Sequence, residues 1–421
     1  MNENGLIVGI NEKPKTIGSW IVLSLQHVFA MFGATVLVPL LTGLDVGVAL
    51  VASGIGTLIY IACTRAKVPV YLGSSFAYIT TISASILATG STSSAYVGLM
   101  VVGLIYAIVA TIIRFVGSGW IKKLLPPIVI GPMIIIIGLS LAPVAINSAG
   151  LNGSGTWKEP LVALITLLTV VLLSIKARGF LKIVPFLVAI FVGYVAAIAV
   201  GLVDISTVFV GYSFFQVPNF SFLGSYALDF SQVLVFAPLA FVTIAEHIGD
   251  HVVLGEITGK DFLETPGLQN TLMGDGLATF VSAALGGPAN TTYGENTGVI
   301  AITKVGSVYV VGLAAIFAIL LGFFGWIQAF INSIPWAVIG GMTIVLYGLI
   351  AANGVKVLVK NKTDLGNMRN LVVVSTMLVI GLGGAILNIT SSSALSGMSL
   401  AAMVGILLNQ GINLLDRKNK A

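Results

Sequence analysis

Apolar runs of about twenty residues follow one another along almost the whole chain, separated by short polar turns. An α-helix needs ~20 such residues to cross the hydrocarbon core of a bilayer. Charged residues make up 8% of the chain and apolar residues 57%, whereas soluble proteins carry about 25% charged residues. These values predict an all-α, polytopic membrane protein and exclude a secreted domain, a cytosolic enzyme and a nucleic-acid-binding protein.

Fourteen apolar stretches qualify as membrane segments, and the third and tenth are interrupted. Each of these two begins with a polar stretch containing Gly and Pro, at 68–75 and 287–294, and is expected to form a short strand followed by a half-helix. The predicted segments are 17–42, 45–63, 68–90, 94–116, 126–146, 160–176, 180–202, 231–255, 270–286, 290–305, 307–330, 334–356, 369–387 and 394–415.

The distribution of basic residues tests this count. With the N-terminus inside, every one of the 20 lysines and arginines except Lys158 falls on or near the inner side, as the positive-inside rule requires. A single missed segment would invert everything after it and destroy this bias. We therefore expect a multi-pass protein of the cell (plasma or inner) membrane with both termini in the cytoplasm.

The two halves of the chain resemble each other. Five residues of segment 5 recur in segment 12, where Pro126, Ile130, Gly131, Met133 and Ile135 correspond to Pro335, Ile339, Gly340, Met342 and Ile344. Seven segments separate corresponding helices, and because seven is odd the second half is inverted in the membrane. Two inverted seven-segment repeats with paired interrupted helices are typical of secondary transporters, whose binding site lies near the bilayer midplane.

Ionisable side chains cluster in segments 8 and 10. Glu246 and Asp250 are four residues apart and share one helix face, while His247 and His251 share the adjacent face. Glu295 begins the helical part of segment 10. Ionisable residues inside membrane segments are costly and usually functional, so these side chains are the first candidates for a site.

Two polar residues, His27 and Asp250, have two interpretations each, and Asp275 has one. His27 of segment 1 is either part of the site or a core histidine bonded to a neighbour, and Asp250 is either a site residue or a structural bonding partner. Asp275 lies near the inner end of segment 9 and is expected at the membrane interface.

The predicted site combines acceptors with donors. Glu246 and Glu295 supply acceptors, while extended backbone at Ser75 and Gly294 and the helix N-termini that follow supply N–H donors. This combination matches a flat ring with alternating N–H and C=O groups, whereas two carboxylates would repel an anion. Three aromatic side chains either wall this ring or simply pack: Phe76, Tyr293 and Tyr347.

A neutral ligand that is moved against its gradient requires a driving ion. A carboxylate in a low-dielectric site can take up a proton, so we expect proton symport, with Na⁺ as the alternative. The candidates for proton coupling are Asp250, Glu246, His247 and His27. The single cysteine, Cys63, and the lack of a Cys/His cluster predict neither a metal site nor a cofactor. A membrane enzyme is disfavoured, because the sequence offers no nucleophile–base pair.

Four stretches of the sequence resemble the nucleobase–ascorbate transporter family, and within it the bacterial uracil permeases: 24–35, 71–77, 245–249 and 290–296. The resemblance extends over nearly the whole chain. It implies a core domain of segments 1–4 and 8–11 and a gate domain of segments 5–7 and 12–14. In residue numbers, the core is 1–116 and 231–330, the gate is 117–202 and 331–421, and 203–230 is an outer connector.

The same resemblance implies uracil import by proton symport, with the core moving against the gate like an elevator in a homodimer formed through the gate domain. It also implies that Glu246 and Glu295 hold the pyrimidine ring, with main-chain contacts from Phe76 and Gly294 and with Tyr293 nearby.

One residue departs from the pattern of this family. Asp250 stands where similar uracil permeases carry histidine, and purine-transporting relatives can carry aspartate there. Xanthine or uric acid is therefore the alternative substrate, although Tyr293 favours uracil. An anion exchanger of the same architecture is disfavoured, because it should carry a basic or neutral residue in place of Glu246 or Glu295.

Overall fold

A computed structural model of the protein describes residues 5–153, 156–389 and 394–418. Its helices are α1 Ile17–Thr42, α2 Val46–Cys63, α3 Ile79–Thr89, α4 Ser93–Val116, α5 Gly119–Leu124, α6 Pro127–Ser140, α7 Ala142–Ser148, α8 Lys158–Lys176, α9 Pro185–Ala199, α10 Ile205–Val208, α11 Val233–Phe236, α12 Leu239–Thr258, α13 Leu268–Ala284, α14 Gly294–Thr303, α15 Val308–Gly322, α16 Gly325–Asn332, α17 Trp336–Lys360, α18 Met368–Leu382 and α19 Gly397–Lys418. The strands are β1 Leu72–Ser74, β2 Asn290–Thr292, β3 Ile386–Asn388 and β4 Ala394–Ser396, and a 3₁₀ turn at Phe76–Tyr78 leads into α3.

Within these ranges, eight helical stretches are long and apolar enough to cross a bilayer, and four shorter apolar helices accompany them. The protein is therefore a mostly helical, multi-pass membrane protein. The exact number of fourteen segments and the orientation of the termini stay predictions. Of the basic residues used for the orientation, Lys420 lies outside the described residues.

Two short strands from opposite halves of the chain pair at the centre of the helices. β1 and β2 are antiparallel, with Gly73 opposite Thr291, and all six of their residues are buried. They lie within the polar stretches 68–75 and 287–294. Because the strands are antiparallel, the helices that follow them leave in opposite directions, and their N-terminal ends start from the same central region.

Several helices cross at glycines that face each other. A Cβ atom on Gly103 of α4 would lie 2.6 Å from the carbonyl oxygen of Gly276 in α13, and one on Gly276 would lie 2.8 Å from the carbonyl oxygen of Gly103. Gly131 of α6 and Gly354 of α17 form a second reciprocal pair. Small residues at helix crossings allow the close backbone approach on which packing in a membrane depends.

The helices pack in two sets. In the first set, α13 packs against α2, α4 and α12, α15 packs against α1 and α2, and α14 packs against α1 and α12. In the second set, α17 packs against α6, α7, α8 and α9, and α18 packs against α19 and α6. Contacts of α12 with α6 and α19, and of α1 with α9, join the two sets.

The thirteenth predicted segment, 369–387, is shorter in the structure than in the prediction. Helix α18 ends at Leu382, and Ile386–Asn388 form β3, which pairs with β4. Gly383 and Gly384 follow the helix, and Gly384 has a φ of 74°, a conformation that glycine adopts without strain and that ends a helix.

The substitution Gly103→Ala is expected to destabilise the protein, because its new methyl group would meet backbone atoms of α13. Overpacking of this kind costs about 1–3 kcal/mol. Thermal unfolding of the purified protein should show a lower Tm for Gly103→Ala than for the wild type. Gly18→Ala in α1 is the matched control, because no atom lies within 4 Å of its added Cβ. Equal Tm values for all three proteins would contradict the close crossing.

Candidate functional site

A cavity of about 720 Å³ lies between the two helix sets, within the ~300–1,000 Å³ range of small-molecule sites. The first set contributes residues of α1, α12 and α14 to its wall, and the second contributes residues of α6, α9 and α17. Four exposed lysines also line it, on the side that the sequence predicts to be cytoplasmic: Lys122, Lys182, Lys356 and Lys360. The cavity thus extends from the buried strands to the protein surface.

Helix α12 presents two carboxylates to this cavity. Glu246 and Asp250 are one turn apart, and both line the wall. The Oε2 atom of Glu246 is buried and has no hydrogen-bond partner among the described residues. Asp250 accepts a hydrogen bond of 2.5 Å from the hydroxyl of Thr292, which ties α12 to β2. Glu246 therefore presents a free acceptor, while Asp250 is anchored.

Helix α14 presents the third carboxylate. Glu295 lies in its first turn, where a negative charge is favoured by the helix dipole, and it lines the same cavity. The preceding Gly294 is exposed to the cavity, and no atom lies within 4 Å of the position that a Cβ would occupy there. Backbone and carboxylate are thus both accessible at the N-terminal end of α14.

Tyr293 fixes the two strands to each other. Its buried hydroxyl donates a hydrogen bond of 3.0 Å to the carbonyl oxygen of Ser74 and accepts one of 3.3 Å from Thr35. A Cβ on Gly73 would lie 2.3 Å from the Cζ atom of Tyr293, so only glycine lets the ring lie against β1. The ring borders the cavity, but its hydroxyl proton is already used inside the protein.

Three other predicted residues lie at or behind the wall. Phe76 lines the cavity. The ring of Tyr347 contacts the ring of Phe76 edge-on, at a centroid distance of 6.2 Å. Ser75 is buried, and its backbone N–H donates to the carbonyl oxygen of Ala289 at 2.8 Å. Neither Ser75 nor Tyr347 is part of the wall itself.

The predicted histidines do not line the cavity. His27 is buried, and its Nδ1 accepts a hydrogen bond of 3.1 Å from Asn296, which joins α1 to α14. His247 lies 2.8 Å from Asp275, measured between Nδ1 and Oδ2. The prediction that Asp275 lies at the membrane interface is wrong, because its side chain is 1% exposed between packed helices.

Thr292 and the pairing of Asp275 were missed by the sequence analysis. Both contacts join residues that are distant in sequence, and no spacing rule places a strand residue or a neighbouring helix opposite a given turn of α12. Across the described ranges, no group of three or more His, Cys, Asp or Glu side chains is arranged to hold a metal ion.

Comparison with known proteins identifies the family. A model described as Permease family matches residues 18–390. The chain belongs to this family. It is 49% identical to the uracil permease of Bacillus caldolyticus, over 96% of this chain and 94% of that protein. It is 45% identical to the uracil permease of Bacillus subtilis (strain 168), over 97% of this chain and 96% of that protein.

These relatives confirm the resemblance to the nucleobase–ascorbate transporters and their bacterial uracil permeases. Among solved structures, the transmembrane domain of the cyanobacterial bicarbonate transporter BicA has a TM-score of 0.62 at 14% identity, covering 95% of this chain and 98% of that one. At this identity the likeness shows the fold alone. The family indicates a transporter rather than an enzyme.

Replacement of Tyr293 by phenylalanine is expected to lower stability, because the buried carbonyl oxygen of Ser74 loses its donor. The loss of such a hydrogen bond costs about 1–3 kcal/mol, which a decrease in Tm of the purified protein should report. Tyr309→Phe is the control, since Tyr309 is 38% exposed. The anchoring role of Tyr293 is contradicted if both variants unfold at the wild-type temperature.

Proposed function

We propose that the protein imports uracil across the cell membrane by proton symport. One observation carries the proposal: Glu246 and Glu295, which come from different helices, line the same cavity, and Glu246 holds a buried acceptor atom that no described residue bonds. Uracil presents N–H donors and C=O acceptors in alternation around a flat ring. The carboxylates accept from its N–H groups, and the N-terminal ends of the half-helices donate to its C=O groups.

The uracil permeases of the two Bacillus species support this choice of substrate. Selectivity follows from the same polar groups. A ring that lacks one matched N–H or C=O leaves a buried polar atom unpaired, which costs about 1–3 kcal/mol. Phe76 and the apolar wall exclude water from the faces of the ring.

Proton coupling is supported by the charges around the ligand. Glu246, Asp250 and Glu295 line one cavity, and within the described residues none of them forms an ion pair with a lysine or arginine. Three neighbouring carboxylates without basic partners repel one another, and binding a proton relieves that repulsion. Asp250 is the proposed proton carrier, with Glu246 as the group that links it to the ligand. Na⁺ in place of the proton is the alternative.

The proposed transport movement is an elevator motion of the core, 1–116 and 231–330, against the gate, 117–202 and 331–421. The position of the cavity between the two helix sets supports it, since sliding one set against the other changes the side to which the cavity opens. With both termini in the cytoplasm, the lysine-lined opening corresponds to an inward-facing state. A homodimer through the gate domain completes this proposal.

A purine substrate, xanthine or uric acid, is the second candidate. It is favoured by Asp250, which stands where similar uracil permeases carry histidine. Asp250 accepts a hydrogen bond from Thr292, so it already has a partner inside the protein. That contact favours a coupling role for Asp250 over direct recognition of a larger ring.

Substitution of either proposed ligand carboxylate should strongly reduce uptake. Glu246→Gln and Glu295→Gln each remove a charged acceptor worth about 1.5–3 kcal/mol, so uptake of labelled uracil at low concentration should fall about 10- to 150-fold. Glu256→Gln is the matched control, since Glu256 lies on the same helix as Glu246, is exposed and pairs with Lys360. Wild-type uptake by both pocket variants, at equal membrane expression, would refute the site.

Substrate and ion are separated by two uptake measurements in proteoliposomes. Excess unlabelled uracil should abolish uptake of labelled uracil, whereas xanthine should not, because the pocket is matched to a pyrimidine. Uptake should rise with an inward proton gradient and persist without Na⁺. Competition by xanthine would favour the purine carrier, and dependence on Na⁺ would replace the proton.

A further inference from the structure

Helix α12 carries a second polar face that does not belong to the cavity. His247 and His251 lie on this face, with ring centroids 4.0 Å apart. Asp275 of α13 and Tyr60 of α2 complete the cluster, and all four residues are at most 1% exposed. The cluster is therefore closed to water, and each of its protons has to be accounted for by a bond inside the protein.

The bonds of His251 fix its protonation. Its Nδ1 lies 2.7 Å from the carbonyl oxygen of His247, which can only accept, so Nδ1 carries a proton. Its Nε2 lies 2.5 Å from the hydroxyl of Tyr60. In the neutral ring with its proton on Nδ1, Nε2 accepts the proton of Tyr60, so both ring nitrogens of His251 have a partner without any added proton.

By contrast, the hydrogen bonding of the His247–Asp275 pair is incomplete. One bond joins Nδ1 of His247 to Oδ2 of Asp275 at 2.8 Å. The other two polar atoms, Nε2 of His247 and Oδ1 of Asp275, are buried and have no hydrogen-bond partner in the described part of the chain. The pair carries one negative charge when His247 is neutral and Asp275 ionised, and it becomes neutral when it gains one proton.

No lysine or arginine of the described residues forms an ion pair with Asp275. The other titratable groups close enough to interact electrostatically with Asp275 are Tyr60 of α2, Tyr78 of the 3₁₀ turn, Tyr106 of α4, and Glu246 and Asp250 of α12. The ring of His251 lies against that of His247. A negative charge on Asp275 acts on Glu246 and Asp250 by repulsion. A ligand N–H requires an ionised Glu246 as its acceptor. Because like charges repel, an ionised Glu246 is unfavourable while the His247–Asp275 pair keeps its negative charge.

We propose that His247 and Asp275 form a proton-binding site outside the substrate cavity, which takes up one proton when uracil binds. One O–H bond of a hydronium ion breaks, which leaves water, and an N–H bond forms on Nε2 of His247, the ring nitrogen that has no partner among the described residues. Uptake of this proton neutralises the pair and so allows Glu246 to remain ionised against the ring N–H. This inference rests on the proposed function, since uracil is the ligand.

Histidine NMR on the wild-type protein tests the site directly. The chain contains three histidines, so ¹⁵N-histidine labelling of protein in lipid bilayers yields three sets of ring signals. The set missing from a His247→Gln variant identifies His247. Saturating uracil should change the protonation of a His247 ring nitrogen between pH 5 and 8, while His251 keeps its proton on Nδ1. A His247 spectrum that uracil leaves unchanged across this range overturns the proposal.

Calorimetry in buffers of different ionisation enthalpy gives a second readout, the number of protons taken up per uracil bound. This number should be lower in Asp275→Asn than in the wild type. Thr271→Val removes a buried hydroxyl one turn away on α13 and should leave the number unchanged. An equal number in Asp275→Asn and the wild type overturns the proposal.

The experiments distinguish a wrong proposed function from a wrong second proton site. If the wild type binds no uracil, the proposed function itself is wrong. If it binds uracil without a change at His247, only the second proton site is wrong. Should Asp275→Asn lose binding altogether, the NMR experiment on the wild type still decides the question.

Discussion

Backbone groups inside a bilayer have no water to bind, so extended backbone persists there only where the protein itself supplies hydrogen bonds. β1 and β2 bind each other, and hydroxyl groups from the neighbouring helices satisfy their outer edges. Ser53 and Thr57 of α2 bond to the carbonyl oxygen and the N–H of Leu72. Thr279 of α13 does the same for Asn290. Tyr293 and Gly73 then lock the two strands together, so the pair is closed on both sides.

This central pair determines what the site can bind. Because the strands are antiparallel, two half-helices begin at the middle of the protein, and each directs N–H donors with positive partial charge into the same region. Helix α12 passes beside them and adds Glu246 and Asp250, while Glu295 stands on α14 itself. Donors and acceptors therefore lie around one cavity, and none of its three carboxylates forms an ion pair with a lysine or arginine of the described residues. Such a cavity favours a neutral, flat, hydrogen-bonding molecule over an ion of either sign.

The parts of the structure that could be predicted from the sequence are those with a local cause. Runs of apolar residues give the multi-pass helical architecture, and the four-residue spacing of Glu246 and Asp250 places both on the cavity side of α12. The missed parts depend on packing between distant segments. Asp275 lies near the inner end of the ninth predicted segment, which favours the interface. Its pairing with His247 depends on how α12 packs against α13, and no local pattern in the sequence indicates that contact. The hydrogen bond from Thr292 to Asp250 likewise joins residues that are distant in sequence.

A structure of the protein with uracil bound tests directly whether Glu246 and Glu295 hold the uracil ring. It is predicted to show a carboxylate oxygen of Glu246 and one of Glu295 within about 2.7–3.2 Å of ring N–H nitrogens or one water away, with backbone N–H groups of a half-helix facing a ring carbonyl. Uracil seated elsewhere, or held in the cavity without either carboxylate, would contradict recognition by these two side chains.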